Sequence, residues 1–399
     1  MIKIAEDNEC CGCHACSSVC PKNCIQMIEN EEGFLYPDVD HHKCIHCNLC
    51  QKVCPMLHQE HSSEYKTRAY LVQNIDSELR EESTSGGLFS LLGQYVLEKN
   101  GTVFGARFDK ELGVYHDYIE DVHDLKYFRN SKYVQSNMNT SYTKVKQLLE
   151  EGRWVCFSGT PCQIQGLSLF LGKKYERLIL VDFICRGVPS PKLLKNYIHF
   201  NEAKFKDKIE YIRFRDKKFG YNFGSIQLIF QSGRIKNEGP TTDLYLRSFF
   251  KGCSSRMSCF KCPMKYEDRI SDFTLFDSWN VDRFFPDMDD DLGTTNVLIH
   301  SEKAMNILNS IQGRARVADV SVKEVINFDG DMLLEQPEMN IGRRYFLKDI
   351  DSKSIKEQVE RYIPISKIEI IRKYLKPLSC SLGINRIFIK LKRRKKVRK

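Results

Sequence analysis

A duplicated cysteine motif occupies the first sixty residues and constrains the fold more than any other feature of the chain. Each copy has the spacing C-x2-C-x2-C-x3-C followed by proline, and the second copy begins 34 residues after the first. The two copies are Cys10, Cys13, Cys16, Cys20 and Pro21, then Cys44, Cys47, Cys50, Cys54 and Pro55. So dense a repeat indicates a small domain built around what its cysteines bind.

This spacing has a physical basis in cluster ligation. A tight loop with a thiolate at every third residue wraps three corners of a four-iron cluster, and the fourth cysteine points to the neighbouring cluster. The motif therefore predicts two 4Fe-4S clusters with crossed ligands. We expect cluster one to be held by Cys10, Cys13, Cys16 and Cys54, and cluster two by Cys44, Cys47, Cys50 and Cys20.

Zinc is the alternative, because zinc sites also favour C-x2-C pairs. They seldom add a third cysteine at the same spacing followed by Cys-Pro. Cys11 is left spare, since its use in place of Cys10 would shorten the first gap to one residue. Alternating apolar residues around a Glu-Gly turn between the two copies predict a pair of small strands. We expect an α+β ferredoxin-like dicluster domain over residues 1–60 that transfers electrons.

The composition limits the cellular setting. The chain has 399 residues, enough for two or three domains. No stretch reaches the roughly 18 apolar residues of a membrane span, and the N-terminus lacks the apolar segment of a signal peptide. We therefore expect a cytoplasmic protein, whose 17 cysteines serve metal or redox chemistry rather than disulfides.

Beyond a polar stretch at residues 58–67, segments typical of strands and helices alternate. A helix is predicted after Ser85, Gly86 and Gly87, and further helices over residues 141–152 and from Thr160. This alternation indicates an α/β domain over residues 65–330 with a largely parallel sheet. Residues 331–399 are expected to form a C-terminal helical extension with a basic tail.

Four later cysteines lie where strands are predicted to give way to loops, at the edge where α/β sheets collect ligand sites. They are Cys162, Cys185, Cys259 and Cys262. From the residues alone, three interpretations stay open: a third 4Fe-4S cluster, a zinc site, or scattered structural cysteines. Cys156 is placed inside a predicted strand, where a core role is expected.

At these residues the sequence resembles the coenzyme F420 hydrogenase/dehydrogenase beta-subunit family, in the version with an N-terminal ferredoxin domain. The resemblance runs to about residue 310. It is carried by successive blocks in the order "STSGGLFSLL", "SKYVQS", "FSGTPCQIQGL", "CRGVPSPK", "FRDKKFGY" and "CFKCPMKYEDRISDFTLFDSW".

This resemblance implies an iron–sulfur flavoprotein oxidoreductase with FAD beside a third 4Fe-4S cluster. The implied ligands of that cluster are Cys162, Cys185, Cys259 and Cys262. Family members pass electrons between clusters, flavin and a reducible partner, which in archaeal enzymes is the deazaflavin F420. Three positions depart from the family pattern, and they put the flavin contact on that side in doubt: Arg186, Phe276 and Asn280.

Five residues are candidates for cofactor binding. Ser85, Gly86 and Gly87 at a helix start offer backbone N–H groups to a phosphate, although such a triplet is often only a turn and cap. Lys132 and Arg269 are candidate cations for the pyrophosphate or for the anionic reduced flavin, with a surface cation as the alternative. No catalytic residue is predicted.

The charge is concentrated at the C-terminus. The net charge is +9, and residues 386–399 contain nine basic residues and no acidic one. Such a segment is a solvated tail, or a patch that binds anionic lipid at the inner face of the membrane. We expect a redox partner protein (a ferredoxin or a reductase or hydrogenase subunit) and a small-molecule hydride acceptor or donor, but no nucleic acid.

Two alternatives to the oxidoreductase stay open. One is an electron-carrier subunit without its own substrate. The other is a membrane-surface scaffold with structural clusters. For the oxidoreductase, a carbohydrate-linked acceptor is a further alternative.

Overall fold

The computed structural model describes residues 8–61 and 65–381. Its N-terminal part is a small domain with two antiparallel strands paired from Ile25 with Val39 to Glu29 with Leu35. The elements of this cysteine-rich domain are α1 (Ala15–Val19), β1 (Ile25–Glu29), β2 (Leu35–Val39) and α2 (Leu49–Lys52). The strand pair is the one that the sequence between the two cysteine motifs predicts.

The strands of the second domain form two sheets. An eight-stranded sheet has the order β13-β3-β12-β11-β7-β6-β4-β5, and a three-stranded antiparallel sheet has the order β10-β9-β8. The strands are β3 (Arg68–Asn74), β4 (Thr102–Phe108), β5 (Val114–Ile119), β6 (Val155–Ser158), β7 (Leu178–Phe183), β8 (Ile209–Asp216), β9 (Ser225–Phe230), β10 (Ile235–Glu238), β11 (Phe273–Asp277), β12 (Thr295–Ile299) and β13 (Ala315–Val320).

The large sheet is mixed, which corrects the expectation of a largely parallel sheet. Strands β4, β6, β7 and β11 pair in parallel at its centre, whereas the flanking strands β5, β12, β3 and β13 pair antiparallel. The turn of residues 109–113 is too short for a crossover connection, so β5 has to run antiparallel to β4.

Helices cover both faces of the large sheet. The helices after residue 65 are α3 (Ser77–Glu82), α4 (Leu88–Leu97), α5 (Ser141–Glu150), α6 (Pro161–Leu171), α7 (Pro191–Phe205), α8 (Leu244–Phe250), α9 (Val281–Phe284), α10 (Glu302–Ile311), α11 (Val322–Asp329), α12 (Asp331–Leu334), α13 (Arg343–Lys348), α14 (Ile355–Tyr362) and α15 (Lys367–Ser381). Leucines of α4 and α10 pack on one face, and α5 and α6 pack on the other. The result is a three-layer α/β domain.

The three-stranded sheet has a core of its own with α7 and α8. Helices α13 and α14 contribute Phe346, Leu347 and Val359 to this core, so part of the predicted C-terminal extension is packed against the body of the protein. The basic tail, residues 386–399, lies outside the described residues. Among the helices that the structure describes, none has the length and apolar character of a membrane span.

Candidate metal centres

Cysteines from both copies of the motif line a first cavity at the inner side of the cysteine-rich domain. Four come from the first loop and α1, and the fifth follows α2. The cysteines on its walls are Cys10, Cys11, Cys13, Cys16 and Cys54. These include all four residues expected at cluster one, with the spare Cys11 beside them. His14 also lines this cavity and is buried.

The second cavity gathers the other half of each motif. Its cysteines are Cys20, Cys24, Cys44, Cys47 and Cys50, which include the four residues expected at cluster two. Cys24 has its sulfur 3.3 Å from that of Cys20. Unlike the first cavity, this one reaches the surface, because Cys47 is exposed and its neighbours Ile45 and Leu49 are 55% and 36% exposed.

A third cavity lies at the carboxyl edge of the parallel strands. Cys162 stands in the first turn of α6, after β6, and Cys185 follows β7. The segment before β11 supplies Cys259 and Cys262, and Cys11 comes from the cysteine-rich domain. Its cysteines are Cys11, Cys162, Cys185, Cys259 and Cys262. Three distant chain segments thus bring the four later cysteines of the sequence to one place.

Local structure positions these thiols. Helix α6 begins with Pro161 at its first position, and the Thr160 backbone N–H donates to Gln163 Oε1 at 2.9 Å. After strand β7, the Gly187 backbone N–H donates a hydrogen bond to Cys185 Sγ at 3.3 Å. An amide hydrogen bond to sulfur favours the thiolate over the thiol.

Burial otherwise favours the neutral thiols. It raises the pKa of Cys16 to about 12 and that of Cys185 to about 12, and it raises the pKa of Cys259 still further. Thiolates packed this closely need a cation among them. The cavities therefore suit a positively charged metal centre that deprotonates its ligands as it binds.

The donor set also fits a cluster. Each of the three cavities offers sulfur ligands, the soft donors that iron–sulfur clusters select. The third cavity is also lined by Ser258, whose buried hydroxyl has no hydrogen-bond partner among the described residues; a cluster sulfur there would accept from it. In the same described part of the chain, no group of three or more His, Cys, Asp and Glu side chains could hold a single metal ion.

The comparisons with known proteins agree with an iron–sulfur protein. Residues 152–330 match the family model for the C terminus of the coenzyme F420 hydrogenase/dehydrogenase beta subunit, and residues 9–57 match the model of a 4Fe-4S dicluster domain. Residues 152–330 belong to the coenzyme F420 hydrogenase/dehydrogenase beta-subunit family. The expected family, with its N-terminal dicluster domain, is confirmed, and the protein is an electron-transfer protein that carries 4Fe-4S clusters.

One solved structure is similar over most of the chain. It is described as a xenon derivative of the F420-reducing NiFe hydrogenase complex from Methanosarcina barkeri, and the matched chain is 16% identical. The match covers 76% of this chain and 94% of the other, with a TM-score of 0.46. No curated protein sequence matches.

The glycine pair proposed for phosphate binding lies at the same sheet edge, before the beta-subunit domain. Gly86 packs so closely that an added Cβ would lie 2.2 Å from Val72 O, and its N–H donates to Thr295 Oγ1 at 2.9 Å. Ser85 Oγ donates to Thr294 O. Gly87, with φ +80°, is the N-cap of α4. Ser85 and Gly86 thus already have partners within the protein, and the amides of the first turn of α4 are the donors that remain for a phosphate.

Lys132 is on a loop adjacent to Ser85. The Ser131 hydroxyl is 3.0 Å from that of Thr84, and Lys132 Nζ donates to the carbonyls of Tyr127 and Arg129. Burial lowers the pKa of Lys132 to about 7. The ammonium group is therefore only partly protonated near neutral pH.

Arg269 is in a different place, on the wall of the third cavity. Its Nη1 donates to Asp182 at 2.9 Å, and both side chains are 2% exposed. The cofactor candidates thus divide into two groups at one sheet edge: Arg269 at the third cavity, and Ser85 to Gly87 with Lys132 near β3.

The three departures from the family pattern have structural roles. Phe276 packs in a small core with Leu298 and Val325. Asn280 Nδ2 donates to Asp329 Oδ1 at 2.6 Å. Arg186 lies over the ring of Phe250.

The sequence did not identify two residues that the structure places beside the cavities. Cys11 lines both the first and the third cavity, and its thiol contacts those of Cys13 and Cys162. Arg256 is fully buried and donates from Nε to Cys10 O at 2.6 Å. No local spacing signals a contact between residues so far apart in the chain.

Proposed function

We propose that the protein is an iron–sulfur flavoprotein oxidoreductase that passes electrons between three 4Fe-4S clusters, FAD and an organic acceptor or donor. The acceptor would be a deazaflavin-type coenzyme or another small molecule, including a carbohydrate-linked one. The observation that carries this proposal is the single cavity shared by Cys162, Cys185, Cys259 and Cys262. Four soft ligands from three chain segments, all half-buried around one cavity, have no simple role in packing.

The three cavities suggest the ligands of each cluster. Cluster one would be held by Cys10, Cys13, Cys16 and Cys54, cluster two by Cys20, Cys44, Cys47 and Cys50, and the third cluster by Cys162, Cys185, Cys259 and Cys262. Each set takes four cysteines, as four-iron clusters require. Cys24 and Cys11 stay outside these sets.

The order of the cavities suggests the route of the electrons. The second cavity reaches the surface at Cys47. The first and third cavities share Cys11, whose thiol contacts Cys13 on one side and Cys162 on the other. Electrons would therefore be exchanged with a partner at cluster two and pass through cluster one to the third cluster.

FAD, when bound, exchanges single electrons with a cluster and a hydride with an organic molecule. We place it along the carboxyl edge of the sheet, where α/β proteins bind their ligands. Along that edge, Arg269 and Lys265 supply positive charge at the third cavity. At the β3 end, the first turn of α4 after Gly87 would receive a phosphate, and Lys132 would take up a proton to pair with it.

Anaerobic purification with iron, sulfide and flavin quantified per chain tests the proposal. Three tetranuclear clusters correspond to about twelve iron atoms, and we expect one FAD in addition. Eight iron atoms without flavin would identify the protein as an electron carrier with two clusters, and the α/β domain would then have a different function.

A second candidate function is an electron-carrier subunit that has no substrate of its own. The surface around cluster two favours a docked protein, because Ile45 and Leu49 are exposed beside Cys47. If the isolated protein turns over F420, a nicotinamide or a small acceptor, it is an enzyme by itself. Activity that appears only with a partner protein would identify it as a subunit.

We also propose that the C-terminus attaches the protein to the inner face of the membrane. Ile368, Ile371 and Leu375 lie on one side of α15 and are 62%, 58% and 59% exposed, and the nine basic residues of the tail follow. Apolar contact and basic charge are the two contributions that peripheral binding needs. A chain lacking residues 386–399 should no longer sediment with phosphatidylserine vesicles; unchanged sedimentation would remove this proposal and the scaffold alternative with it.

A further inference from the structure

Arg256 carries a buried charge at the junction of the two domains. Its side chain is fully buried. Nε donates to Cys10 O at 2.6 Å, Nη1 to Gln135 Oε1 at 3.0 Å and Nη2 to Leu35 O at 3.0 Å. The guanidinium carbon lies 4.0 Å from the centre of the Tyr36 ring. All of its polar partners are neutral.

Other buried arginines of the protein have carboxylate partners. Arg343 donates to both oxygens of Glu32, and Arg269 donates to Asp182. Arg256 forms no ion pair with any carboxylate in residues 8–61 and 65–381. A buried charge without a counter-charge is strongly unfavourable, so its presence here points to a negative group that residues 8–61 and 65–381 do not supply.

The first cavity is where that negative group would lie. Cys10 and Gly12 both line it. The Cys10 carbonyl accepts from Arg256, and a Cβ added to Gly12 would lie 2.8 Å from Arg256 Nη1. A four-iron cluster with four thiolate ligands has a net negative charge, and this charge increases by one unit when the cluster gains an electron.

We propose that Arg256 is the counter-charge of cluster one and raises its reduction potential above that of cluster two. The inference rests on the proposed ligands of cluster one, but on neither the third cluster nor FAD. A fixed positive charge in a dry environment stabilises the more negative, reduced form. Among the described residues that line the second cavity, none is a buried cation: the cavity opens to solvent at Cys47, and Lys22 is exposed there, so its charge is screened. An electron that enters at cluster two would then move to cluster one spontaneously.

The test is a redox titration of the full-length holoprotein with dithionite, followed by electron paramagnetic resonance. The signal of cluster one is the one whose g values change in Cys54→Ser. In Arg256→Gln we expect the ratio of reduced to oxidised cluster one at a fixed potential to fall at least tenfold, or about 59 mV for one electron. The potential of cluster two should not change.

Arg343→Gln is the matched control, because it also removes a buried arginine from the interface between the domains, but one that is paired with Glu32. It should leave the potential of cluster one unchanged. If both variants shift the potential equally, the effect comes from loosened packing and the proposal is wrong.

A second variant allows the proposal to be tested even if Arg256→Gln does not fold. Gln135→Glu gives Arg256 a carboxylate partner of the same shape, since Gln135 Oε1 already accepts from Nη1. It neutralises the charge without removing the arginine and should lower the potential of cluster one in the same direction. An unchanged potential in this variant, with eight or more iron atoms per chain still bound, would overturn the proposal. A protein with eight irons and no flavin would disprove the proposed flavoprotein function, yet would still allow this test.

Discussion

Asp182 and Arg269 form an ion pair that is almost completely removed from solvent. The distance from Arg269 Nη1 to Asp182 Oδ2 is 2.9 Å, and each side chain is 2% exposed. Thr274 donates a further hydrogen bond to Asp182 Oδ1. The pair joins the end of β7 to the loop that carries two cysteines of the third cavity, so it holds the wall of that cavity in place.

Removal of one partner should destabilise the protein strongly. In Asp182→Ala the guanidinium of Arg269 stays buried without a counter-charge, and we expect the free energy of unfolding to fall by about 3–5 kcal/mol. Urea denaturation followed by circular dichroism measures this. Glu98→Ala breaks the exposed pair with Arg314 and should cost about 0–1 kcal/mol. Similar losses in the two variants would contradict the role assigned to burial.

Cysteines of the third cavity should be needed for four of the iron atoms. We expect Cys259→Ala to lose about four iron atoms per chain, because a tetranuclear cluster needs its full set of ligands. Cys156→Ala is the control, since this thiol is buried inside β6. Its iron content should equal that of the unchanged protein. Equal iron content in both variants would mean that the cavity holds no cluster.

The adjacent pair Cys10 and Cys11 tests the register of the first motif. Only Cys10 has the x2 spacing to Cys13, so Cys10→Ala should lose cluster one and Cys11→Ala should keep it. Iron analysis of the two variants, prepared in parallel without oxygen, decides the matter. The reverse result would place Cys11 among the ligands and leave Cys10 spare.

The hydroxyl of Ser258 should tune the third cluster. It lines the third cavity and has no partner among the described residues, and hydrogen bonds to cluster sulfurs stabilise the reduced state. We expect Ser258→Ala to lower the reduction potential of the third cluster at unchanged iron content. Ser254→Ala removes a comparable unpartnered hydroxyl outside that lining and should leave the potential unchanged.

Lys132 should make the stability of the protein depend on pH. Burial lowers its pKa to about 7 in the folded state, against about 10.4 in the unfolded chain. Between these values the unfolded chain binds more protons, so this residue makes the free energy of unfolding rise as the pH increases from about 7. In Lys132→Met the rise between pH 7 and 9 should be smaller. If urea denaturation gives the same dependence of the free energy of unfolding on pH for the variant and for the unchanged protein, the ammonium group is not desolvated.

Much of this architecture could be predicted because its signals are local. The spacing within each cysteine motif determines the path of its own loop. The alternation of apolar segments predicted the helices that begin after Gly87 and Thr160. The antiparallel flanks of the large sheet were missed, because strand direction depends on long-range pairing that periodicity does not encode. The contact of Arg256 with Cys10 joins residues 246 positions apart, and no sequence pattern near either residue predicts it.

The close approach of Gly166 to the cysteine-rich domain limits how this protein can be re-engineered. A Cβ at Gly166 would lie 3.0 Å from Cys13 Sγ and 3.1 Å from Tyr142 Oη. The N-terminal domain therefore cannot be exchanged freely for another. A transplanted ferredoxin domain would have to reproduce the shape of this contact surface as well as the cysteine spacing. Domains chosen by the cysteine motif alone should fail to exchange electrons with the rest of the protein.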